Sequence, residues 1–364
     1  MVTTYGGVVT EYGVTRPDRT AEKPNKFVRS RDEFLGNQRR PHALTVDGLA
    51  AMRMFVKFLC ASVLLLLTAF FLLGTVRYTA EPIPLLAKEN RRISPFTYRY
   101  LLNQPEVCRD RSPFLVFLVP VAPHQEEARQ AVRRTWGAPR RDTLTLFFSG
   151  LPEGGLLSPL QSALEKEGQQ YADIIQMNFR DSYQNLTIKT VVMMKWLAAH
   201  CPNASYAMKV DSDIFVNVFH LIRRLRSSPR VAFITGSVIW DGSPRRDPSS
   251  KWYLSEKLYH EDSFPPYLSG AGYVFSTDLA GRISWASRFV QVIPLEDVYV
   301  GLCLRVLGVR PVYSHSLPLF RNLFEIRKLE YDRCTFVKLI IVNSFKPSEL
   351  LHVWEDFSKG QADC

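Results

Sequence analysis

Two carboxylates one residue apart, Asp211 and Asp213, follow directly on a short apolar run, Tyr206-Ala207-Met208-Lys209-Val210. Carboxylate oxygens are hard ligands, and a pair at this spacing suits Mn2+ or Mg2+. An ion with so few protein ligands takes substrate phosphates into its remaining positions, where it acts as Lewis acid and template for a departing diphosphate. The same Asp-Ser-Asp sequence also suits an ordinary strand-to-helix turn, in which an Asp side chain caps the helix. Only the surrounding elements decide between the two.

Those elements alternate. A continuous apolar run at 114–119 has the composition of a strand buried on both faces, and a polar, helix-compatible stretch follows at 125–134. The pattern repeats with strands at 144–148 and 172–177, helices at 156–167 and 187–199, and a strand at 206–210 that ends on the acidic pair. Such βα alternation predicts an α/β domain with a largely parallel sheet. Ligands of these sheets collect at the carboxyl ends of the strands, where Asp211 and Asp213 stand.

Among the 364 residues, 46 Lys and Arg outnumber 35 Asp and Glu, for a formal charge of +11. The basic residues are spread from Arg16 to Lys359 with no aromatic-interleaved stripe, so no nucleic-acid partner is expected. Residues 58–76 (FLCASVLLLLTAFFLLGTV) are uncharged and apolar, long enough at ~1.5 Å per residue to cross a ~30 Å hydrocarbon core. They lie too far from Met1 for a cleaved signal peptide, so a signal-anchor helix in the lipid bilayer is expected. Residues 1–57 read as a disordered cytosolic tail, 77–112 as a Pro-containing stem, and 113–364 as the folded domain. Sequons at Asn185 and Asn203, and five of the six cysteines, lie on the C-terminal side of the span, which fits a lumenal domain.

Several blocks then occur in a fixed order. They are RQAVRRTWG at 129–137, DSYQNLTIKT at 181–190, KVDSDIFVN at 209–217, KWY at 251–253, PPYLSGAGY at 265–273 and EDVYVG at 296–301. Over roughly 113–354 this pattern resembles the β1,3-galactosyltransferase and β1,3-N-acetylglucosaminyltransferase family, and its wording is closer to the galactosyltransferase branch. The resemblance implies a GT-A fold, a Rossmann-like mixed sheet flanked by helices. It also implies an inverting transferase with its catalytic domain in the Golgi lumen, held as a single-pass type II protein.

Galactose would pass from UDP-galactose in β1,3 linkage to a terminal N-acetylhexosamine of a glycoprotein or glycolipid, with Mn2+ or Mg2+ as cofactor. A UDP-N-acetylglucosamine donor and a non-catalytic glycan-binding or partner-binding member are the alternatives. The resemblance makes Asp211 and Asp213 the metal ligands and Asp297 the general base, with Glu296 as second candidate. It places Arg133, Trp136, Lys189, Lys209, Asp211, Gly270 and Gly272 around the donor, and Lys251, Trp252 and Tyr253 on the acceptor side. Two positions depart from the pattern. Asn343 stands where the family usually has a histidine, resembling a third metal ligand, and Leu268 stands where it often has cysteine.

Overall fold

The computed structural model describes residues 54–69, 97–109, 112–313, 315–316 and 321–360. The chain divides into two compact units, Met1–Thr79 and Ala80–Cys364. In the first, a helix, α1, runs over 54–69. The tail up to residue 53, residues 70–76 of the expected span and the stem from 77 to 96 lie outside the described residues. Among the described residues no helix is long and apolar enough to cross a membrane.

The second unit begins with β1 (Tyr100–Leu102), β2 (Leu115–Pro120), α2 (Glu126–Arg134), β3 (Thr143–Leu151), α3 (Pro159–Tyr171), β4 (Ile174–Arg180), α4 (Leu186–His200) and β5 (Tyr206–Val210). It continues through β6 (Phe215–Val216), α5 (Val218–Leu225), β7 (Ile234–Ile239), β8 (Tyr267–Ser276), α6 (Asp278–Ala286), α7 (Glu296–Val306) and β9 (Val312–Tyr313). Shorter pieces follow: β10 (His315–Ser316), β11 (Arg321–Asn322), β12 (Phe324–Glu325), α8 (Arg333–Phe336) and β13 (Ile341–Val342), before the last helix, α9 (Pro347–Phe357).

The main sheet has the order β1-β4-β3-β2-β5-β8-β7-β9. Strands β4, β3, β2 and β5 are mutually parallel, as alternation predicts. Beyond them the expectation of a largely parallel sheet gives way, because β8 runs antiparallel to both β5 and β7. No helical crossover joins β7 to β8, and strands without one can pair antiparallel. The domain also starts earlier than residue 113. β1 pairs antiparallel with β4, and Cys108 is disulfide-bonded to Cys201, so residues 97–109 belong to the folded unit rather than to a stem. Three residues are too few for a period-2 signal, which is why this strand does not show in the sequence.

β2 is buried at every position because both faces of the sheet are covered. Side chains alternate across a strand, so Val116 and Leu118 enter one cluster with Trp196 and Phe275. Leu115, Phe117 and Val119 enter the other with Trp136 and Phe215. Helix α3 starts at Pro159, not at 156, because the Ser158 hydroxyl caps it by accepting from the Leu160 amide and Pro suits its first turn.

A buried ionic network ties α2 to α3 and to Asp173, just before β4. Glu167 accepts from Arg129 at 2.6 and 2.8 Å and from Arg133 at 2.6 Å, and Arg133 also pairs with Asp173 at 2.8 Å. Burial alone would raise the Glu167 pKa, but the two guanidiniums outweigh it and hold the pKa below the usual carboxylate range. Replacing Glu167 with Ala leaves two buried cations without their shared counter-charge, and about 3–5 kcal/mol of stability should be lost in urea unfolding at neutral pH. In the wild type the Glu167 contribution is complete above its unfolded pKa of about 4.3 and disappears as pH falls through the lower folded value.

Candidate active site

The chain leaves β5 at Val210, and the next residues line a cavity of about 310 Å³. Asp211 and Asp213 form one wall and Gly270 and Ala271 of β8 a second, while Glu296 and Asp297, the first residues of α7, form a third. A helix start is where backbone N–H groups and the helix dipole favour carboxylates. Gly270 keeps β8 close to the acidic pair, since a Cβ there would sit 3.3 Å from Glu296 Oε2 and 3.5 Å from the Asp297 Cβ, a tight fit.

At the base of the cavity Lys209 is fully buried. Its ammonium donates to Asp211 Oδ1 at 2.7 Å and to the Gly270 carbonyl, and it lies 3.4 Å from Glu296 Oε2. Burial would push its pKa down, but Asp211 and Glu296 outweigh it and raise the pKa above the ordinary lysine value. Glu296 is almost wholly enclosed, and its other oxygen accepts from the Tyr273 hydroxyl at 2.8 Å. Burial raises its pKa, and the Asp297 charge adds to the rise against the pull of Lys209.

Asp297 differs from Glu296 in being only half-buried. One oxygen accepts from the Val298 amide at 2.9 Å and the other from the Gly270 amide at 3.4 Å, so the carboxylate is oriented and still reaches the cavity. Loss of solvation raises its pKa. Asp213 opens to the cavity, and partial desolvation together with the charge of Asp211 raises its pKa as well. Four carboxylates thus face two ammonium groups, Lys209 and Lys251, leaving a formal excess of two negative charges in the lining. A divalent cation matches that excess and the hard oxygen donors. Among the described residues no group of three His, Cys, Asp or Glu side chains is placed to hold a metal, so the protein would leave most positions to substrate and water.

The C-terminal segment completes the wall. β13 pairs antiparallel with β6, with Val342 opposite Phe215, and the Phe345 amide donates to the Asp213 carbonyl at 2.8 Å. This brings Asn343 and Ser344 into the cavity lining, Ser344 with a left-handed φ of 72°. The Asn343 amide nitrogen donates to the Ile326 carbonyl at 3.1 Å, which leaves its side-chain oxygen as the free end.

Of the other residues predicted around the donor, Arg133, Trp136, Gly272 and Lys209 take structural positions, while Lys189 lines an adjoining groove. Arg133 is committed to Glu167 and Asp173 and lies over the Tyr171 ring, away from the cavity lining, so a phosphate contact from it is not supported. Trp136 is wholly buried with its indole N–H donating to the Ile214 carbonyl at 2.7 Å, which braces the loop carrying Asp213 from behind. Gly272 faces Met208 and Ile341 in the core. Lys209 reaches carboxylates and a carbonyl inside the protein rather than open solvent. Lys189 is buried against Asp181 and the Val121 carbonyl, and burial lowers its pKa despite Asp181.

Lys189 and Asp181 instead line a second groove of about 570 Å³ at the carboxyl end of β2, and Tyr183 and Leu186 line both spaces. On the remaining side Trp252 lines the acidic cavity half-exposed, and the Lys251 ammonium stands 4.5 Å from the centre of the Tyr183 ring. Tyr183, Asp181 and Tyr273 were not singled out in the sequence, although all three fall inside the ordered blocks; their roles depend on contacts between blocks.

Comparison with known proteins identifies the family. The sequence model described as Galactosyltransferase matches residues 127–315. The chain is 40% identical over 275 residues to human β-1,3-galactosyltransferase 1, covering 74% of this chain and 81% of that one. It is also 40% identical over 273 residues to mouse β-1,3-galactosyltransferase 2, covering 73% of this chain and 64% of that longer protein. Among solved structures, an apo bifunctional glycosyltransferase aligns at 9% identity with a TM-score of 0.36 over 67% of this chain and 49% of that one, too distant to carry weight. The chain belongs to the galactosyltransferase family, and thereby to the glycosyltransferases.

The raised pKa of Asp213 means that its charge is unfavourable in the metal-free fold, and that stability from this position increases as pH falls through the folded pKa. Asp213→Asn should therefore leave the melting temperature in chelator unchanged or higher. Loss of thermal stabilisation by added Mn2+ should accompany it, read by calorimetry.

Proposed function

We propose that this chain is an inverting, metal-dependent transferase of GT-A type that passes galactose from UDP-galactose in β1,3 linkage to a terminal N-acetylhexosamine of a glycoprotein or glycolipid glycan. The observation that carries the reading is the shared cavity: an oriented, half-buried Asp297 faces the Asp211–Asp213 pair across one space of about 310 Å³. Family membership supplies the sugar and the linkage, through relatives named β-1,3-galactosyltransferase. The apolar run at 58–76 and the two sequons support a Golgi signal-anchor protein with a lumenal catalytic domain.

In this reading the nucleoside lies in the groove beyond β2, between the Pro120–Val121 strand end and Tyr183, and the sugar diphosphate reaches the acidic cavity. Asp211 and Asp213 would hold Mn2+ or Mg2+, whose chemistry there is to neutralise charge on the departing diphosphate. Lys209 fixes the Asp211 carboxylate from below, so its orientation is set before substrate arrives. The acceptor enters past Trp252, whose half-exposed indole offers an apolar face for a sugar ring. Asp297 accepts the proton of the attacking hydroxyl as that oxygen displaces UDP from the anomeric carbon. Glu296 is the poorer candidate, because it is almost wholly enclosed, with its oxygens directed at Tyr273 and Lys209. It is a positioning residue.

The direct test offers the full-length protein UDP-galactose and UDP-N-acetylglucosamine with N-acetylhexosamine acceptors and Mn2+. Product from UDP-galactose alone supports the reading, and UDP binding without transfer from either donor defeats it. Asp297→Asn should lower kcat by roughly 10²–10⁴-fold, the range of a lost general base, with donor binding retained by calorimetry. Since desolvation raises the Asp297 pKa, the acid limb of kcat/KM should fall at a pH above the ordinary aspartate value of about 3.9, the active form being the deprotonated one on the alkaline side. The Asn343 oxygen is a harder donor than imidazole nitrogen, so Asn343→His should shift the Mn2+/Mg2+ affinity ratio toward Mn2+ by about tenfold in titration calorimetry.

A further inference from the structure

Three leucines stand exposed on a turn at the carboxyl end of β3. Gly154 and Gly155 take left-handed φ in succession, 87° and 67°, and the Gly155 amide donates to the Pro152 carbonyl at 3.0 Å. Glycine adopts two such angles at low cost because it has no Cβ. The Ser158 amide then donates to the Gly155 carbonyl at 3.2 Å, and the Ser158 hydroxyl caps α3. Held at both ends, the turn leaves Leu156 and Leu157 at 59% and 97% exposure, and Leu160 in the first turn of α3 at 43%. Single exposed leucines are ordinary, whereas three within five positions on a braced turn make an apolar patch.

The chain enters the folded unit beside this patch. Leu151 of β3 is in register with Arg180 of β4, and Glu153 pairs with the Arg180 guanidinium at 3.2 Å. Two residues earlier on β4, Asn178 holds the incoming segment. Its side chain accepts from the Arg99 amide at 2.7 Å, and its own amide donates to the Arg99 carbonyl at 3.1 Å. Residues 77–96 join the apolar run at 58–76 to this entry point and reach at most about 70 Å at ~3.5 Å per residue. Pro152, Glu153 and Leu160 also border the groove of about 570 Å³, whose lining residues Tyr183 and Leu186 continue into the acidic cavity. The tether, the leucines and the substrate entrance therefore share one end of the sheet.

We propose that Leu156 and Leu157 insert into the lumenal leaflet of the bilayer that holds the anchor, and that the acceptor is a glycolipid whose sugars stand in the headgroup layer of that leaflet. This rests on the anchored, lumenal transferase proposed above and narrows its acceptor to the lipid-borne class. Two leucines alone hold a domain to a membrane weakly, as a single short acyl chain does. The tether offsets that weakness by keeping the turn at an effective concentration on the order of mM beside the surface, so a weak contact is enough to set the orientation. At the patch edge Glu153 and Arg180 compensate each other, so the contact is apolar and insensitive to salt. Sugars on a lipid project only a short way from the leaflet, and docking by this turn brings the groove and the cavity down to them.

Full-length protein in phosphatidylcholine vesicles provides the test. An environment-sensitive fluorophore is placed at Leu157→Cys in a Cys60→Ser background, and lipid spin-labelled in its acyl chain is the quencher. The control is Ser227→Cys, exposed beside Ser228, whose carbonyl accepts from the Tyr206 hydroxyl at the opposite end of β5. The probe at 157 should lose most of its emission at low and high salt alike, and the probe at 227 none. The double variant Leu156→Ser, Leu157→Ser should raise KM about tenfold for a glycolipid acceptor in the same vesicles and leave KM unchanged for the same sugar on a water-soluble glycoside. An unquenched probe at 157, an equal change in KM for both acceptors, or transfer to the glycoside alone overturns the proposal. A probe shielded from aqueous iodide yet untouched by the lipid quencher assigns the patch to a protein partner and overturns it as well. Quenching at 157 with no transfer to either acceptor establishes the docking and defeats the transferase reading, and the lipid-borne acceptor with it.

Discussion

One buried ammonium organises the centre of this protein. Lys209 lies at 0% exposure between Asp211, Glu296 and the Gly270 carbonyl, contributed by the turn after β5, α7 and β8. A lone charge in such a place would be very costly, and three oxygen partners make it tolerable. The consequence is geometric. The strand that ends on the acidic pair, the antiparallel strand beside it and the helix that carries Glu296 and Asp297 cannot shift independently while the ammonium is shared among them. Asp211 is aimed by a cation from within the fold and Asp297 by amides of α7 and β8, so both are in position before a substrate adds charge of its own.

Charge in the cavity is deliberately unbalanced in the structural sense: the carboxylates outnumber the ammoniums by two, and three of them, Asp213, Glu296 and Asp297, have raised pKa values. Such a lining is unfavourable when empty of counter-charge and favourable around a divalent cation. The same imbalance distinguishes the two acidic residues of α7. Glu296 has exchanged its solvent for Tyr273 and Lys209, whereas Asp297 keeps a path to the cavity.

Residues around this centre work as scaffold. Arg133 serves the network of α2, α3 and Asp173, and Trp136 supports Ile214 behind the acidic turn, so side chains that chemical type alone would assign to a donor instead keep its walls in place. The small sheet of β12, β13 and β6 performs a similar service from the C-terminal end of the chain. Through it Asn343 comes beside Asp213 although some 130 residues separate them, a distance crossed by one ladder and the Phe345 amide.

Much of this was legible beforehand. The apolar run of β2, the alternation down to β5 and the strand-end position of Asp211 and Asp213 follow from periodicity, because burial on two faces demands continuous apolar residues. The ordered blocks carried the family. What no local pattern contains is partnership across the sheet. That β8 returns antiparallel beside β5, that residues 97–109 add an edge strand and a disulfide, and that Lys209 faces inward to Glu296 while Arg133 turns to Glu167 are all decided by long-range packing. The acidic pair was marked by sequence as a place where a cation could be held. Only the tertiary structure determined which carboxylate is free to take a proton, because burial and hydrogen-bond partners, not residue type, set that property.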